Sequence, residues 1–565
     1  MGRPPDVRAA LRARARHGVA PLAYALAALY LLAGLWAMWR LAPRVPYADG
    51  WRYIAVLADA RFVDGVLMVS NGHREVLPNM VRWLDLRLFG ASQGLQILVG
   101  IGLLLATLAA LWRPLATARP AVRAVAFLWA VVGLCWLGNA RALVHAQESV
   151  HAYLVTLALA LGVGLLAARP RNAAQAWCHG WLAGTCGLVA TFSFGSGIAC
   201  FGAFGAVLWL RRAAWRDAVP VLLCAGVAVG MTILAGVGGE RIGVAPVVQA
   251  DRLLRWLAAP SLYAAWPLLD PEMAARLPVA PVRSVAVAVS ECIAAMAGSA
   301  LTARWPHLLT GALGAAWLLV ASLHCRRAPA VQVVVGLGIA WFALGVGVLI
   351  ALARLEYFTL FPDQLLATRY VVWSSLFWAG LAYAAVAGAR TAIGPFAALV
   401  VAALLLPSQL WMWRYAERIA QVATPIAASV AVGVLDPELT LGENVVEELR
   451  VAAGPLARRG AAMHAWPEAR WLGRAPGTDV VRENDVGTVT VAVFDDDLVP
   501  DRVAQRVTFA APQEGLDRWL LLDADGVARG LALRDPLDRT RAIGWMQDAS
   551  AASPRVATLR GDADR

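Results

Sequence analysis

Carboxylate side chains gather in the first polar stretch, residues 43–92, which follows a long apolar run. The acids in it are Asp49, Asp59, Asp64, Glu75 and Asp85. A carboxylate beside a membrane can serve as a general base, and ionisable groups near membrane depth are costly and usually have a task. Asp49, in "YADGW", is the first candidate for that base.

Neighbouring residues in "SNGHREVLP" could contact a substrate. His73 and Arg74 fit substrate contacts or capping groups better than metal ligands, and Glu75 could act as a second carboxylate. Simpler explanations compete: Asp-Gly favours a turn at Asp49, and an acid such as Glu75 suits the first turn of a helix.

Two later polar stretches add candidate contacts. In "NARALVHAQESVHAY", His145 and Glu148 are three residues apart and would share a helical face; the spacing is not that of HExxH, so a polar helix end or a substrate contact is favoured over a metal site. In "ARLEYFTLFPDQLLATRYVVW", Arg354 ends one apolar run and Arg369, followed by Tyr370, opens the next. These arginines could snorkel to the membrane surface or grip a phosphate in a bidentate manner.

Composition predicts a membrane protein. The chain has 565 residues, 60% of them hydrophobic, with a mean hydropathy of +0.61, well above a typical soluble domain. All 50 basic residues are arginine, and the net charge of +12 divides into +17 for residues 1–411 and −5 for residues 412–565. A basic membrane part with an acidic tail argues against a nucleic-acid binder. The seven cysteines lie in or beside apolar runs without a zinc-type spacing, so buried packing is expected.

The fold class predicted is an all-α polytopic integral membrane protein with a small soluble α+β domain at its carboxyl end. Eleven apolar segments of near-spanning length lie close to 20–42, 94–112, 122–138, 150–168, 176–192, 195–210, 217–237, 306–324, 331–353, 371–388 and 393–411. Residues 284–303 could also span, but their small residues and Glu291 favour a helix that lies at the membrane surface or in a protein groove. Between 176–192 and 195–210, "FSFGSG" predicts a tight break, serving either helix packing or a substrate cavity.

Arginine bias in the short loops predicts the orientation. Residues 1–19 form a basic cytoplasmic amino terminus, and the loops 43–92, 139–149, 238–283 and 354–370 fall on the outer face. In the first loop, Leu77, Met80, Leu84 and Leu88 form one apolar stripe, which predicts a helix lying along the bilayer surface. The membrane domain covers 20–411.

The tail follows a different pattern. Residues 412–479 read as an amphipathic helical connector, and residues 480–565 as a small β-rich soluble domain, because β-branched runs alternate with Asp-Gly and Pro turns. With eleven spans, this tail is periplasmic.

The order of these features resembles the GT-C-type membrane glycosyltransferases that use polyprenyl-phosphate-linked sugars, in a bacterial branch. The resemblance covers roughly residues 20–411 and rests on "YADGW", "NGHREVLPNMVRWLD", the mid-chain "FSFGSG" and the late Arg354…Arg369-Tyr370. In many members two adjacent acids stand in the first loop, whereas here Gly50 follows Asp49. No cofactor is therefore certain, and a divalent cation stays an open alternative.

The resemblance implies a reaction and its partners. Asp49 would take a proton from an acceptor hydroxyl, and Arg354 and Arg369 would stabilise the departing polyprenyl phosphate. The partners expected are membrane lipids, a polyprenyl-phosphate-sugar donor and a glycan, lipid or protein acceptor of the cell envelope, in the bacterial inner membrane. A transporter or flippase of lipid-linked sugars, and a non-catalytic envelope assembly protein, are the alternatives.

Overall fold

The computed structural model describes residues 7–70, 73–234, 246–275, 277, 280–297, 304–353, 355–439, 443–512, 517–547 and 554–560. Within these ranges the chain divides into two compact units. The first comprises Met1–Arg40, Met68–Pro78 and Leu98–Ala416, and the second Leu41–Leu67, Asn79–Ile97 and Glu417–Arg565.

The helices follow the apolar runs of the sequence. They are α1 Val7–Arg40, α2 Gly50–Leu57, α3 Phe62–Val66, α4 Val76–Phe89, α5 Gly94–Trp112, α6 Pro120–Cys135, α7 Ala140–Val144, α8 Ala146–Ala167, α9 Ala173–Thr191, α10 Ala199–Leu210, α11 Trp215–Leu234, α12 Pro246–Leu269, α13 Pro271–Ala275, α14 Ala280–Ala297, α15 Arg304–Arg327, α16 Val331–Ala353, α17 Leu355–Leu360, α18 Thr368–Ala387, α19 Ile393–Leu404, α20 Ser408–Val432 and α21 Glu443–Arg459.

Among the described residues, eight helical stretches are long and apolar enough to cross a membrane. They are Gly18–Arg40, Gly94–Leu115, Pro120–Val144, Ala146–Ala167, Trp215–Leu234, Trp305–Arg327, Val331–Leu352 and Thr368–Ala387. The pair α19 and α20, bent by 47° at its break, makes a ninth if it is one span. The polytopic helical fold class is confirmed, whereas the count of eleven stays a prediction. The segment 284–303 lies largely in α14, which is not among these spans; residues 298–303 fall outside the described ranges.

The "FSFGSG" segment is a compact break between α9 and α10. Gly195–Ile198 form one turn of 3-10 helix before α10 begins. A Cβ atom on Gly197 would collide with the backbone carbonyl of Ala190, so only glycine allows the chain to turn back this closely on α9. The predicted tight turn is thus present, and its glycine has a packing reason.

Helix α4 is polar toward the protein and apolar outward. Arg82 and Asp85 are buried, whereas Leu88, on the predicted apolar stripe, is 68% exposed. A helix in a soluble domain would show the opposite arrangement. This inversion is the pattern expected where the outer face meets lipid.

The carboxyl-terminal part of the second unit contains an antiparallel sheet. Its strands are β3 Val481–Glu483, β4 Thr490–Asp495, β5 Val503–Ala510, β6 Arg518–Leu522, β7 Ala528–Arg534, β8 Arg541–Met546 and β9 Arg555–Leu559, after the short hairpin β1 Val69–Ser70 and β2 His73–Arg74 of the first unit. The spatial order is β3-β9-β6-β7-β8-β5-β4. Val507, Phe509, Trp519 and Met546 are among the side chains of its core. The predicted β-rich domain at the carboxyl end is therefore present.

Candidate active site

In the first unit, a buried acid meets a buried histidine from a different part of the chain. Glu75 follows strand β2, and its Oε2 lies 3.8 Å from Nδ1 of His151 on α8. Both side chains are buried. Charged and titratable groups are costly to bury without partners, which makes this pair a candidate for function.

The start of α8 carries a second polar cluster. Glu148, in the first turn, accepts hydrogen bonds from Nε of Arg141 and from Nδ1 of His145, the latter at 2.9 Å. The helix N-terminus adds a favourable positive field for the carboxylate. His145 and Glu148 thus share one face as their spacing predicted, and His151 lies three residues beyond Glu148 on that face.

Aromatic rings connect this cluster to helix α18. Phe194, from the "FSFGSG" break, stacks on His151 with ring centroids 4.2 Å apart and planes 8° from parallel. On α18, Trp373 stacks with Phe194 at 6.4 Å and 18°, and Phe342 of α16 meets Trp373 edge-on at 5.8 Å. The break therefore positions an aromatic side chain between two helices, in addition to packing its glycine.

Arg369 stands one helical turn before Trp373, at the start of α18. Its guanidinium donates to the Tyr357 hydroxyl at 3.2 Å and lies over the rings of Tyr370 and Tyr357, at 4.9 and 5.9 Å from their centroids. The tyrosine rings restrict the guanidinium without neutralising its charge. A half-buried arginine held in this way is well suited to bind an anion.

Asp49 belongs to the second unit. It immediately precedes α2 and lies in a turn, as Asp-Gly favours, in which the backbone amides of Gly50 and Trp51 donate to the carbonyls of Tyr47 and Ala48. The turn accounts for the backbone at Asp49, whereas its side chain makes no hydrogen bond that caps the helix. Its Oδ1 lies 4.0 Å from Arg52, and 46% of the side chain is exposed. The carboxylate is thus accessible, so that a ligand could reach it. The predicted convergence of Asp49 with Arg354 and Arg369 stays a prediction.

The other acids of the first loop have different surroundings. Asp59 and Asp64 are exposed. Asp85 is fully buried and accepts hydrogen bonds from the backbone of Gln93 and Leu95. Burial raises the pKa of Asp85, and these hydrogen bonds only partly oppose that shift. This buried acid anchors α4 to the start of α5.

Two predicted contacts cannot be placed. Arg354 and the side chain of His73 lie outside the described part of the structure, and Arg74 of β2 is half-buried. Sequence spacing gave no sign of Phe194 or Trp373, because nothing in an apolar run tells which aromatic ring faces a polar cluster.

The described residues contain no group of three or more His, Cys, Asp or Glu side chains arranged to hold a metal ion. A divalent cation therefore has no ready-made set of protein ligands in this part of the chain, and it stays an open alternative.

Comparison with known proteins gives a likeness in fold. No protein-family model and no curated protein matches the chain. A solved structure of the Archaeoglobus fulgidus oligosaccharyltransferase AglB, in complex with an inhibitory peptide and a dolichol-phosphate, aligns with a TM-score of 0.38 and 11% identity over 74% of this chain. A second structure of the Archaeoglobus fulgidus oligosaccharyltransferase, with Zn and sulfate, aligns with a TM-score of 0.35 and 13% identity over 73% of this chain.

The chain spans 58% and 56% of those two proteins. Both are described as oligosaccharyltransferases. At TM-scores below 0.5 the likeness carries no argument about activity, so the function must be argued from the side chains themselves.

Proposed function

We propose that the chain is a membrane-embedded glycosyltransferase that moves a sugar from a polyprenyl-phosphate donor to a cell-envelope acceptor. The reaction takes place on the periplasmic face of the bacterial inner membrane, with the amino terminus cytoplasmic and the carboxyl-terminal domain periplasmic. The observation that carries the proposal is the site of the first unit, where Glu75, His151 and Glu148 are linked through Phe194 and neighbouring rings to the helix that bears Arg369.

This arrangement suits a sugar linked to a lipid phosphate. Contacts with Tyr370 and Tyr357 hold the guanidinium of Arg369 in place, and its charge remains available to an anion. Hydrogen bonds between arginine and phosphate are strong and directional. Aromatic and buried polar groups together line the kind of site in which a polar ligand with an apolar tail can bind. His145, Glu148, Glu75 and Tyr370 are proposed as donor or acceptor contacts, together with His73, Arg74 and Arg354 from the sequence.

In the proposed reaction, Asp49 accepts the proton of an acceptor hydroxyl while that oxygen attacks the anomeric carbon of the donor sugar. The bond between that carbon and the phosphate oxygen breaks, and the electron pair leaves with the polyprenyl phosphate. Arg369 stabilises the negative charge of the departing phosphate. Each chemical step then has a named group in this chain.

The test uses the full chain in proteoliposomes with a panel of polyprenyl-phosphate monosaccharides carrying labelled sugars. Asp49→Asn should lower turnover by about 10²–10⁴-fold with donor affinity retained, because general-base catalysis contributes that much. Arg369→Gln should weaken donor binding by about 10–100-fold, the size of a charge-assisted hydrogen bond. Asp64→Asn is the matched control, since its exposed carboxylate pairs with Arg61 three residues before it.

Each of three results would contradict a different part of the proposal. Normal turnover by Asp49→Asn would remove the base, and unchanged donor affinity of Arg369→Gln would remove the phosphate contact. Passage of intact donor across the bilayer, with no sugar released or transferred, would replace the transferase by a transporter.

A further inference from the structure

Within the second unit, helix α21 packs along α2 with matched charges at both ends. Near the start of α2, Arg52 donates through Nε to Glu448 of α21. Just past the end of α2, Asp59 lies 3.7 Å from Arg458 and 3.6 Å from Arg459. The two ion-pair regions have opposite polarity, so the helices fit in one direction and one register.

Arg52 stands between two carboxylates. On one side it is hydrogen-bonded to Glu448, and on the other its NH1 lies 4.0 Å from Oδ1 of Asp49. The Glu448 side chain is 19% exposed and the Arg52 side chain 25%, against 46% for Asp49. Burial acts to lower the pKa of Arg52, but its hydrogen bond to Glu448 and the charges of Glu448 and Asp49 outweigh burial and raise that pKa. The guanidinium therefore stays charged and is held by the more buried of its two partners.

We propose that Glu448 is a positioning residue of the transferase, which holds Arg52 back from Asp49 so that the Asp49 carboxylate remains able to accept a proton. This inference rests on the proposed function, in which Asp49 is the general base. An arginine free to close on Asp49 would stabilise the charged carboxylate and make it a weaker base. The connector helix α21 thereby contributes to the proposed chemistry although it lies about 400 positions further along the chain.

The charged and titratable groups that act on Arg52 include Glu448, Asp49 and Tyr53. Another cation of the same unit, Arg82 of α4, lies with its guanidinium 3.8 Å from the centroid of the Tyr53 ring and donates to Asn79. Arg52 is the cation that pairs with Asp49 in the described part of the chain. Glu448 therefore fixes the position of the Arg52 guanidinium relative to Asp49.

The experiment compares the pH dependence of kcat/KM for the full chain and its variants, with the labelled donor that the wild-type chain turns over. Glu448→Gln should move the midpoint of the acidic limb to lower pH by about half a unit, the size expected for a solvent-exposed ion pair. Donor KM should not change. Adding Arg52→Gln to Glu448→Gln should return the limb to its wild-type position or above, because the competing cation is then gone. Glu447→Gln is the matched control, since that neighbour is 70% exposed and pairs with Arg450.

The outcomes separate this inference from the proposed function. If Asp49→Asn is inactive while Glu448→Gln keeps the wild-type limb, the positioning role of Glu448 is overturned and the base assignment stands. If Asp49→Asn is fully active, both are overturned. A merely structural role of Glu448 would lower the thermal stability of Glu448→Gln without moving the limb, and the Asp59 ion pairs should keep α21 docked in that variant.

Discussion

Removing the buried carboxylate of Asp85 should destabilise the packing of α4 against the start of α5. Asp85 is 0% exposed and accepts three hydrogen bonds, from the backbone of Gln93 at 3.0 Å, the backbone of Leu95 at 3.1 Å and the side chain of Gln96 at 3.2 Å. Arg44 supplies the nearby positive charge. All of these partners belong to the same compact unit as Asp85.

The size of the effect follows from the donors left behind. A buried donor without an acceptor costs about 1–3 kcal/mol, so three donors, partly relieved by water, give about 3 kcal/mol for Asp85→Ala. Asp85→Asn keeps one carbonyl oxygen and should lose about half as much. For a unit of this size, 3 kcal/mol corresponds to a fall in melting temperature of roughly 5–10 °C.

The assay is thermal unfolding of the purified full chain in detergent at a fixed scan rate, with Asp64→Ala as the control. The control removes an exposed carboxylate that pairs with Arg61, the residue just before its short helix, and should change stability by less than about 0.5 kcal/mol. A melting temperature of Asp85→Ala equal to that of the control would refute the reasoning.

The same carboxylate predicts a pH dependence. Burial raises the pKa of Asp85 above its unfolded value of about 3.9, so the stability linked to its titration is complete below that value and is lost as pH rises through the folded pKa. Asp85→Asn lacks this titration. The gap in melting temperature between wild type and Asp85→Asn should therefore be larger at pH 4 than at pH 7, and a gap that grows toward neutral pH would contradict the assignment.

Two further predictions concern a close backbone contact and a buried hydrogen bond, and the same thermal unfolding assay tests both. Gly197→Ala should cost about 1–3 kcal/mol because its new methyl group meets backbone, whereas Gly202→Ala, which has open space around it, should be neutral or stabilise its helix by up to about 1 kcal/mol; equal effects would refute the packing argument. In the sheet domain, Asp436→Ala should cost about 2 kcal/mol, because Nε1 of the buried Trp545 donates to Asp436 at 3.0 Å and would lose its acceptor. Removal of the exposed carboxylate of Asp517 should cost less than about 0.5 kcal/mol, and a loss as large as that of Asp436→Ala would tell against the buried hydrogen bond.

The sequence by itself determined the polytopic helical class and the β-rich domain. In lipid a spanning segment forms a helix because only a helix satisfies its own backbone hydrogen bonds. The thickness of the bilayer then sets the length of the apolar run at about twenty residues, which can be read from the sequence. The β-rich domain of the tail could be predicted in the same way, because strand-forming stretches such as Val503–Ala510 alternate with turn residues. The glycines of "FSFGSG" also marked a tight turn correctly, because close approach of two backbone segments restricts the residue type.

Only the tertiary structure decided which of these residues meet. The stack of His151 on Phe194, the pairing of Arg52 with Glu448 and the placement of β3 beside β9 join residues separated by tens to hundreds of positions. Periodicity tells which face of a helix is apolar but not which element packs against that face. In the same way, the sequence does not identify the ion-pair partner of a charged residue. The physical reason is that span length and turn chemistry are local properties of the chain, whereas a binding site is made by contacts that exist only after the helices have packed.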